Sequence, residues 1–160
     1  MPSLPEPEFD ELYRELILDH YRNPRNRRQI PSPDVVAEGY NPLCGDELEL
    51  YLNLDGGVVS EVGFQARGCS ISQASTSMLT EVILGKEIDE VRSLIAAFKT
   101  MMTDPEAEPA EELGDLEALQ GVAKFPVRVK CATLAWHALE DGLDRHEAAP
   151  SGQPVRTKVE

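Results

Sequence analysis

Hydrophobic and polar residues alternate between residues 47 and 66, and this pattern predicts a β-hairpin. Leucine occupies every second position from Leu48 to Leu54, which is typical of a strand with one buried face. Asp55-Gly56-Gly57 follows as a hairpin-turn signal. The returning strand is predicted from Val58 to Ala66. The residues expected on its buried face are Val58, Val62, Phe64 and Ala66.

Apolar residues recur at three- and four-residue spacing in four other segments, which predicts amphipathic helices. Ser70 or Ser72 can cap the second of these helices and Asp89 can cap the third. The leucine face of the hairpin needs a cover, and these helices can supply it. We therefore expect an α+β fold in which a small antiparallel β-sheet has helices packed on one face. The predicted helical segments are residues 9–21, 70–84, 89–102 and 131–143.

The chain has 160 residues, a length at which a single domain is the first expectation. We assign that domain to residues 1–145. Residues 103–120 contain seven carboxylates and no basic residue, so they are expected to form an inserted acidic loop with a short helix near residues 113–119. Residues 146–160 are polar and contain proline and glycine, which predicts a disordered tail.

Charge and composition exclude several classes of function. The net charge of −14 argues against a nucleic-acid partner, because phosphate binding needs a basic footprint. No apolar run approaches the roughly 20 residues of a membrane span. The first residues, Met1 to Glu6, do not show the pattern of a secretory signal.

Three cysteines cannot all pair within one chain, which favours a reducing cytoplasm.

One basic cluster stands out against this acidic background, at residues 22–28. It contains four arginines, around Asn23, Pro24 and Asn26. We interpret it as a solvated loop that balances the charge of the first helix. The alternative is a docking site for an acidic partner or a phosphate group.

The three cysteines are candidates for one site. Cys44 and Asp46 flank Gly45 just before the first predicted strand, and Cys69 comes just after the second. A hairpin with its turn at residues 55–57 brings these positions to the same end of the sheet. Cys131 lies at the predicted start of the last helix.

The chemistry of this set favours a metal. Cys69 and Cys131 are both expected at helix N-termini, where the dipole favours thiolate, and Arg128 and Lys130 add positive charge near Cys131. Three thiolates and one carboxylate could surround a tetrahedral Zn²⁺. The alternative is that the cysteines are small buried hydrophobic residues, since the chain has no CxxC pair.

Four motifs resemble those of the iron–sulfur cluster assembly proteins of the IscU/SufU type, which are NifU N-terminal-like. The resemblance covers about residues 9–143. Within that family the chain looks like the SufU branch, because Lys130 stands where the IscU branch has histidine and because the acidic insertion is a SufU trait. The chaperone motif of the IscU branch is missing. The four motifs are Asp19–Asn26, Leu43–Asp46, Gly68–Ser72 and Arg128–Trp136.

The resemblance implies a set of ligands and partners. It implies zinc held by Cys44, Asp46, Cys69 and Cys131, and a SufS-type cysteine desulfurase that supplies persulfide sulfur. In that branch a histidine of the desulfurase displaces one cysteine from zinc. The freed thiolate, Cys44 by position, then accepts the sulfur for downstream iron–sulfur assembly proteins. Arg128 and Lys130 are expected to assist partner docking or to stabilise the thiolate. The histidines of the chain are not needed as ligands.

Three functions remain open at this point. The first is a zinc-dependent sulfurtransferase that acts with a desulfurase. The second is a non-enzymatic scaffold on which a [2Fe–2S] cluster is assembled, or iron is held, by Cys44, Cys69 and Cys131. The third is a binding module with structural zinc, which is disfavoured because structural zinc sites are usually closed by cysteine and histidine.

Overall fold

The computed structural model of the protein describes residues 11–104 and 106–160, with side chains from residue 14 onward. Four α-helices, one 3-10 segment that is kinked at Gly114 and four strands occur in these ranges. Residues 9 and 10 of the first predicted helix lie outside the described residues. The elements are α1 (Glu11–Arg22), β1 (Val35–Asn41), β2 (Asp46–Asp55), β3 (Val58–Arg67), α2 (Ser70–Ile83), α3 (Ile88–Thr103), the 3-10 helix (Glu111–Lys124), α4 (Pro126–Ala148) and β4 (Val155–Val159).

The strands form one sheet in the order β3-β2-β1-β4. The predicted hairpin is confirmed, because β2 pairs antiparallel with β3. Strand β1 pairs antiparallel with β2 and parallel with β4, so the sheet is mixed. Helices α2 and α4 pack against it. Leu48, Leu50 and Leu52 are buried in the core beneath them. The α+β fold with helices on a small sheet is therefore confirmed.

One strand face differs from the prediction. The pairing of β2 with β3 shifts between Asn53 and Leu54, so that Leu54 lies opposite Val59 and Asn53 opposite Glu61. Ser60 is the extra residue of this bulge. A bulge reverses the alternation beyond it. Val59 is therefore fully buried, and the prediction that Val58 belongs to the buried face was wrong.

The C-terminal segment also differs from the sequence prediction of a disordered tail. Helix α4 continues to Ala148, and β4 extends the sheet beside β1. An unpaired strand edge offers a row of backbone partners, and β4 occupies that edge of β1. The Thr157 hydroxyl donates a hydrogen bond to Asp141 of α4. Gly142 leaves room for this packing, since a Cβ there would lie 2.8 Å from Val35 Cγ1.

The acidic segment is packed rather than a free loop. Its 3-10 helix buries five apolar side chains while its carboxylates remain exposed. Its burial against the core explains why a segment so rich in charge is folded. The buried residues are Leu113, Leu116, Ala118, Leu119 and Val122.

None of the described helices is long and apolar enough to cross a membrane.

Candidate metal centre

The hairpin brings Asp46 and Cys69 together, as the sequence predicted. Glu47 pairs with Arg67 at the end of the ladder, so the residues just beyond this pair face each other. The Cys69 amide donates a hydrogen bond to Asp46 Oδ1 over 2.9 Å. Asp46 is fully buried, and a buried carboxylate requires such partners or a cation.

Gly68 is the residue that permits this approach. Its φ is +148°, and a Cβ at this position would overlap the Asp46 carboxylate. Only glycine combines that backbone conformation with no side chain. The Asp46 carboxylate therefore packs against bare backbone between the end of β3 and Cys69.

Cys69 is held by the start of α2. It is the N-cap residue of that helix, and its Sγ accepts a hydrogen bond from the Ser72 amide over 3.4 Å. The predicted caps, Ser70 and Ser72, lie inside the helix instead. The pKa of the Cys69 thiol lies below its ordinary value, because the Cys131 thiol and then the Ser72 amide donate to its sulfur.

Two side chains brace the turn before Cys69. Gln73 Nε2 donates to the Gly68 carbonyl over 2.9 Å, and Arg27 Nη2 donates to the Ala66 carbonyl over 2.8 Å. Arg27 comes from the basic cluster that was interpreted as a solvated loop. The exposure of Arg27 and the ion pair of Arg25 with Asp19 of α1 agree with that interpretation. The Arg27 guanidinium in addition satisfies a backbone carbonyl beside the site.

Cys44 lies on a loop with fewer restraints. Gly45 has a φ of +71° and nothing within 4 Å of a Cβ position. Cys44 is half-buried, and its Sγ lies 3.0 Å from Cys131 Sγ. Burial raises the pKa of the Cys44 thiol, with partial compensation from the hydrogen bond to Cys131.

Cys131 is not at a helix N-terminus, and that prediction was wrong. Helix α4 begins at Pro126, so Cys131 lies more than one turn inside and its amide is not one of the free terminal donors. Proline is favoured in the first helical turn, and Pro126 was the overlooked signal. The hydrogen bond with Cys69, followed by burial, raises the pKa of Cys131.

The potential ligand atoms of Cys44, Asp46 and Cys131 lie within 4.8 Å of one another. Cys69 borders this group, with its Sγ 4.0 Å from Asp46 Oδ2. The donor set fits zinc, which binds thiolates at about 2.3 Å and carboxylate oxygens at about 2.0–2.2 Å. Among the residues that the structure describes, this group contains no histidine. His20 instead hydrogen-bonds Ser77 over 2.8 Å.

The two predicted basic residues occupy different environments. Arg128 is 4% exposed, and its positive charge acts on the Cys44 thiol to lower its pKa, against the larger effect of burial. Lys130 is exposed and lines a cavity of about 250 Å³ beside the Cys44 loop. Leu43, next to Cys44, is 54% exposed.

Sequence reasoning missed several supports of the site. Gln73, Arg27 and Asn41 carry no metal-binding chemistry, so ligand spacing does not reveal them. The Asn41-Pro42 pair was the available signal for Asn41, because asparagine before proline favours the start of a turn.

Comparison with known proteins gives matches over most of the chain. Residues 12–132 match the family model of the NifU-like N-terminal domain. The zinc-dependent sulfurtransferase SufU of Bacillus subtilis (strain 168) is 49% identical over 139 residues, which cover 87% of this chain and 94% of that protein. The iron–sulfur cluster assembly scaffold protein IscU of Streptococcus pyogenes serotype M1 is 38% identical over 137 residues, 86% of each chain.

A solved structure has the same fold. The crystal structure of a putative iron–sulfur cluster assembly scaffold protein for the SUF system from Fervidobacterium islandicum AW-1 superposes with a TM-score of 0.75. It is 36% identical in sequence and covers 81% of this chain and 94% of that one. Its relatives named above are a zinc-dependent sulfurtransferase and iron–sulfur cluster assembly scaffold proteins. The chain therefore belongs to the NifU-like N-terminal domain family.

Proposed function

We propose that this protein accepts persulfide sulfur on Cys44 from a SufS-type cysteine desulfurase and passes it to downstream iron–sulfur assembly proteins. In this proposal zinc is held by Cys44, Asp46, Cys69 and Cys131. The observation that carries it is the approach of the potential ligand atoms of Cys44, Cys131 and Asp46 to within 4.8 Å of one another. The similarity to the sulfurtransferase of B. subtilis supports it.

The sulfur step uses groups that this chain provides. Cys44 Sγ attacks the terminal sulfur of the desulfurase persulfide, and a new sulfur–sulfur bond forms at Cys44. The sulfur–sulfur bond of the donor breaks, and the donor cysteine leaves as a thiolate that takes up a proton. The transferred sulfur keeps its oxidation state, so the step needs no external oxidant.

In this proposal zinc favours the reactive thiolate, and the remaining ligands stay in place during this step. Zinc, when bound, keeps its thiol ligands deprotonated at neutral pH. That contribution matters for Cys44, because burial alone raises its thiol pKa. The Asp46 carboxylate and the capped Cys69 sulfur hold their positions when Cys44 moves away.

Arg128 and Lys130 assist in different ways. The charge of Arg128 favours the thiolate form of Cys44 and can attract the anionic persulfide of the donor. Lys130 is exposed on the cavity that borders Leu43, where a docked partner would reach it. We assign Lys130 to partner docking.

The second candidate is a scaffold for a [2Fe–2S] cluster built on Cys44, Cys69 and Cys131. The observation that favours it is the 38% identity to an IscU scaffold protein across 86% of both chains. The two proposals differ in what the same thiols carry, which is a sulfane sulfur in one and an iron cluster in the other.

A turnover assay tests the proposed function. The full chain is incubated with a SufS-type desulfurase and free cysteine, and alanine release is measured with and without the protein. We expect the protein to increase alanine release and Cys44→Ser to abolish the increase, because the desulfurase persulfide is then not discharged. Ser70→Ala is the control, since Ser70 lies inside α2 and supplies no ligand. Equal turnover with and without Cys44 would contradict the proposal.

A further inference from the structure

Asn41, the last residue of β1, contacts both the loop that carries Cys44 and the Cys131 sulfur. Its side chain is buried, with 3% exposure. The amide has both a donor and an acceptor, and in this structure each has its own partner.

The acceptor restrains the loop that carries Cys44. Asn41 Oδ1 accepts a hydrogen bond from the Leu43 amide over 3.1 Å, which is the geometry of an Asx turn. The Asn41 backbone carbonyl accepts a second hydrogen bond, from the Gly45 amide over 2.8 Å. The backbone amides of both neighbours of Cys44, Leu43 and Gly45, are therefore hydrogen-bonded to Asn41.

The donor reaches the opposite side of the site. Asn41 Nδ2 points to Cys131 Sγ over 3.9 Å, a length at which sulfur accepts weak hydrogen bonds. Cys131 belongs to α4, which packs against β1. One buried side chain thus links the Cys44 loop to the helix that carries Cys131.

We propose that Asn41 is a positioning residue that sets how readily Cys44 leaves the metal centre. The inference rests on the proposed function, in which Cys44 is the ligand that departs to accept sulfur. The side-chain bond to Leu43 keeps the loop folded against Cys131. The backbone bond from Gly45 does not depend on the side chain, so it can remain when the side-chain bond is lost.

Two substitutions separate the amide groups. Asn41→Ala removes both the acceptor and the donor. Asn41→Asp keeps an oxygen that can accept from the Leu43 amide and removes the donor to Cys131. The pair therefore tests whether the acceptor alone is enough to hold the Cys44 loop.

The readout is the rate at which iodoacetamide alkylates each cysteine in the full-length protein as purified, followed by peptide mass spectrometry. Cys69 and Cys131 serve as internal references for overall unfolding. For Asn41→Ala we expect Cys44 to react about tenfold faster relative to Cys69, the effect of losing one hydrogen bond. For Asn41→Asp we expect the ratio to remain within about twofold of the wild type.

The outcomes decide the inference independently of sulfur transfer. An unchanged ratio of Cys44 to Cys69 in Asn41→Ala would overturn it, and so would equal acceleration of all three cysteines. Acceleration in Asn41→Asp as large as in Asn41→Ala would also overturn it. Alkylation needs no desulfurase, so absence of a persulfide on Cys44 would refute the proposed function while leaving this result intact.

Discussion

The two sides of the metal centre are built differently. On one side, Cys69 caps α2, its amide bonds Asp46, and Gln73 and Arg27 brace the turn before it. On the other side, Cys44 lies on a loop whose neighbour Gly45 contacts nothing at its Cβ position. Both sides contribute a thiol, but only one is fixed by helix, strand and side chains together.

This difference assigns separate tasks to chemically identical ligands. A ligand that stays must be fixed by structure that does not depend on the metal, as Cys69 is. A ligand that leaves to react needs fewer restraints, and both loop hydrogen bonds beside Cys44 are accepted by the single residue Asn41. In the account proposed here, Cys69 and Asp46 hold and Cys44 reacts.

Replacing each of the two glycines by alanine should produce the largest difference in stability between the two sides of the centre. Gly68→Ala places a Cβ against the Asp46 carboxylate in a φ of +148°, so we expect a loss of about 2–4 kcal/mol in unfolding free energy. Gly45→Ala meets open space at a φ of +71° and should cost about 1 kcal/mol. Urea denaturation of both variants measures the difference.

Similar losses at both glycines would contradict the contrast between the two sides. Zinc content of the purified variants adds a second readout. We expect Gly68→Ala to lose metal and Gly45→Ala to retain it.

Asp46 provides the next largest effect, on metal retention. Asp46→Ala removes one proposed ligand and the acceptor of the Cys69 amide, so we expect zinc affinity to fall by roughly tenfold or more. The chain should still fold, because the thiols remain. Competition with a chromophoric chelator measures the affinity.

Asp46→Asn is the matched variant, because its side-chain oxygen can still accept from the Cys69 amide. We expect an affinity between those of the wild type and Asp46→Ala. Wild-type affinity in both variants would remove Asp46 from the set of ligands.

The smallest effect concerns His20, which links α1 to the helix that Cys69 caps. Burial is the main cause that lowers the pKa of His20, and the positive charge of Arg25 lowers it further. The negative charges of Glu81, Asp19 and Asp115 act in the opposite direction. The unfolded chain then binds more protons near the ordinary pKa of 6.5. Stability should therefore fall as pH drops below about 6.5 toward the folded-state pKa.

His20→Gln keeps an amide that can bond Ser77 and removes this titration. We expect its stability to decrease less than that of the wild type as the pH falls below the ordinary histidine pKa of 6.5. Equilibrium denaturation at several pH values measures both slopes. An equal dependence of stability on pH in the wild type and in His20→Gln would show that titration of His20 does not contribute to it.

The sequence predicted the parts of the site that follow from local pattern. The leucine alternation and the Asp55-Gly56-Gly57 turn were enough to place Asp46 beside Cys69, because pairing register determines which ends meet. The motifs around the three cysteines were enough to indicate the family.

Features that depend on tertiary contacts could not be predicted in this way. The docking of β4 on β1 arises from pairing between distant segments, which periodicity does not encode. The bulge at Ser60 lies within the hairpin, but simple alternation does not reveal an inserted residue. The role of Arg27 depends on a carbonyl at Ala66, 39 residues away in the chain. The early start of α4 was different, since Pro126 signalled it locally.

The most direct test of the account is the position of the transferred sulfur. The zinc-loaded protein is incubated with a SufS-type desulfurase and free cysteine, blocked with an alkylating mass tag, and mapped by peptide mass spectrometry. The account predicts one additional sulfur, found chiefly on Cys44, while Cys69 and Cys131 remain unmodified thiols. Additional sulfur found chiefly on Cys131 would contradict it.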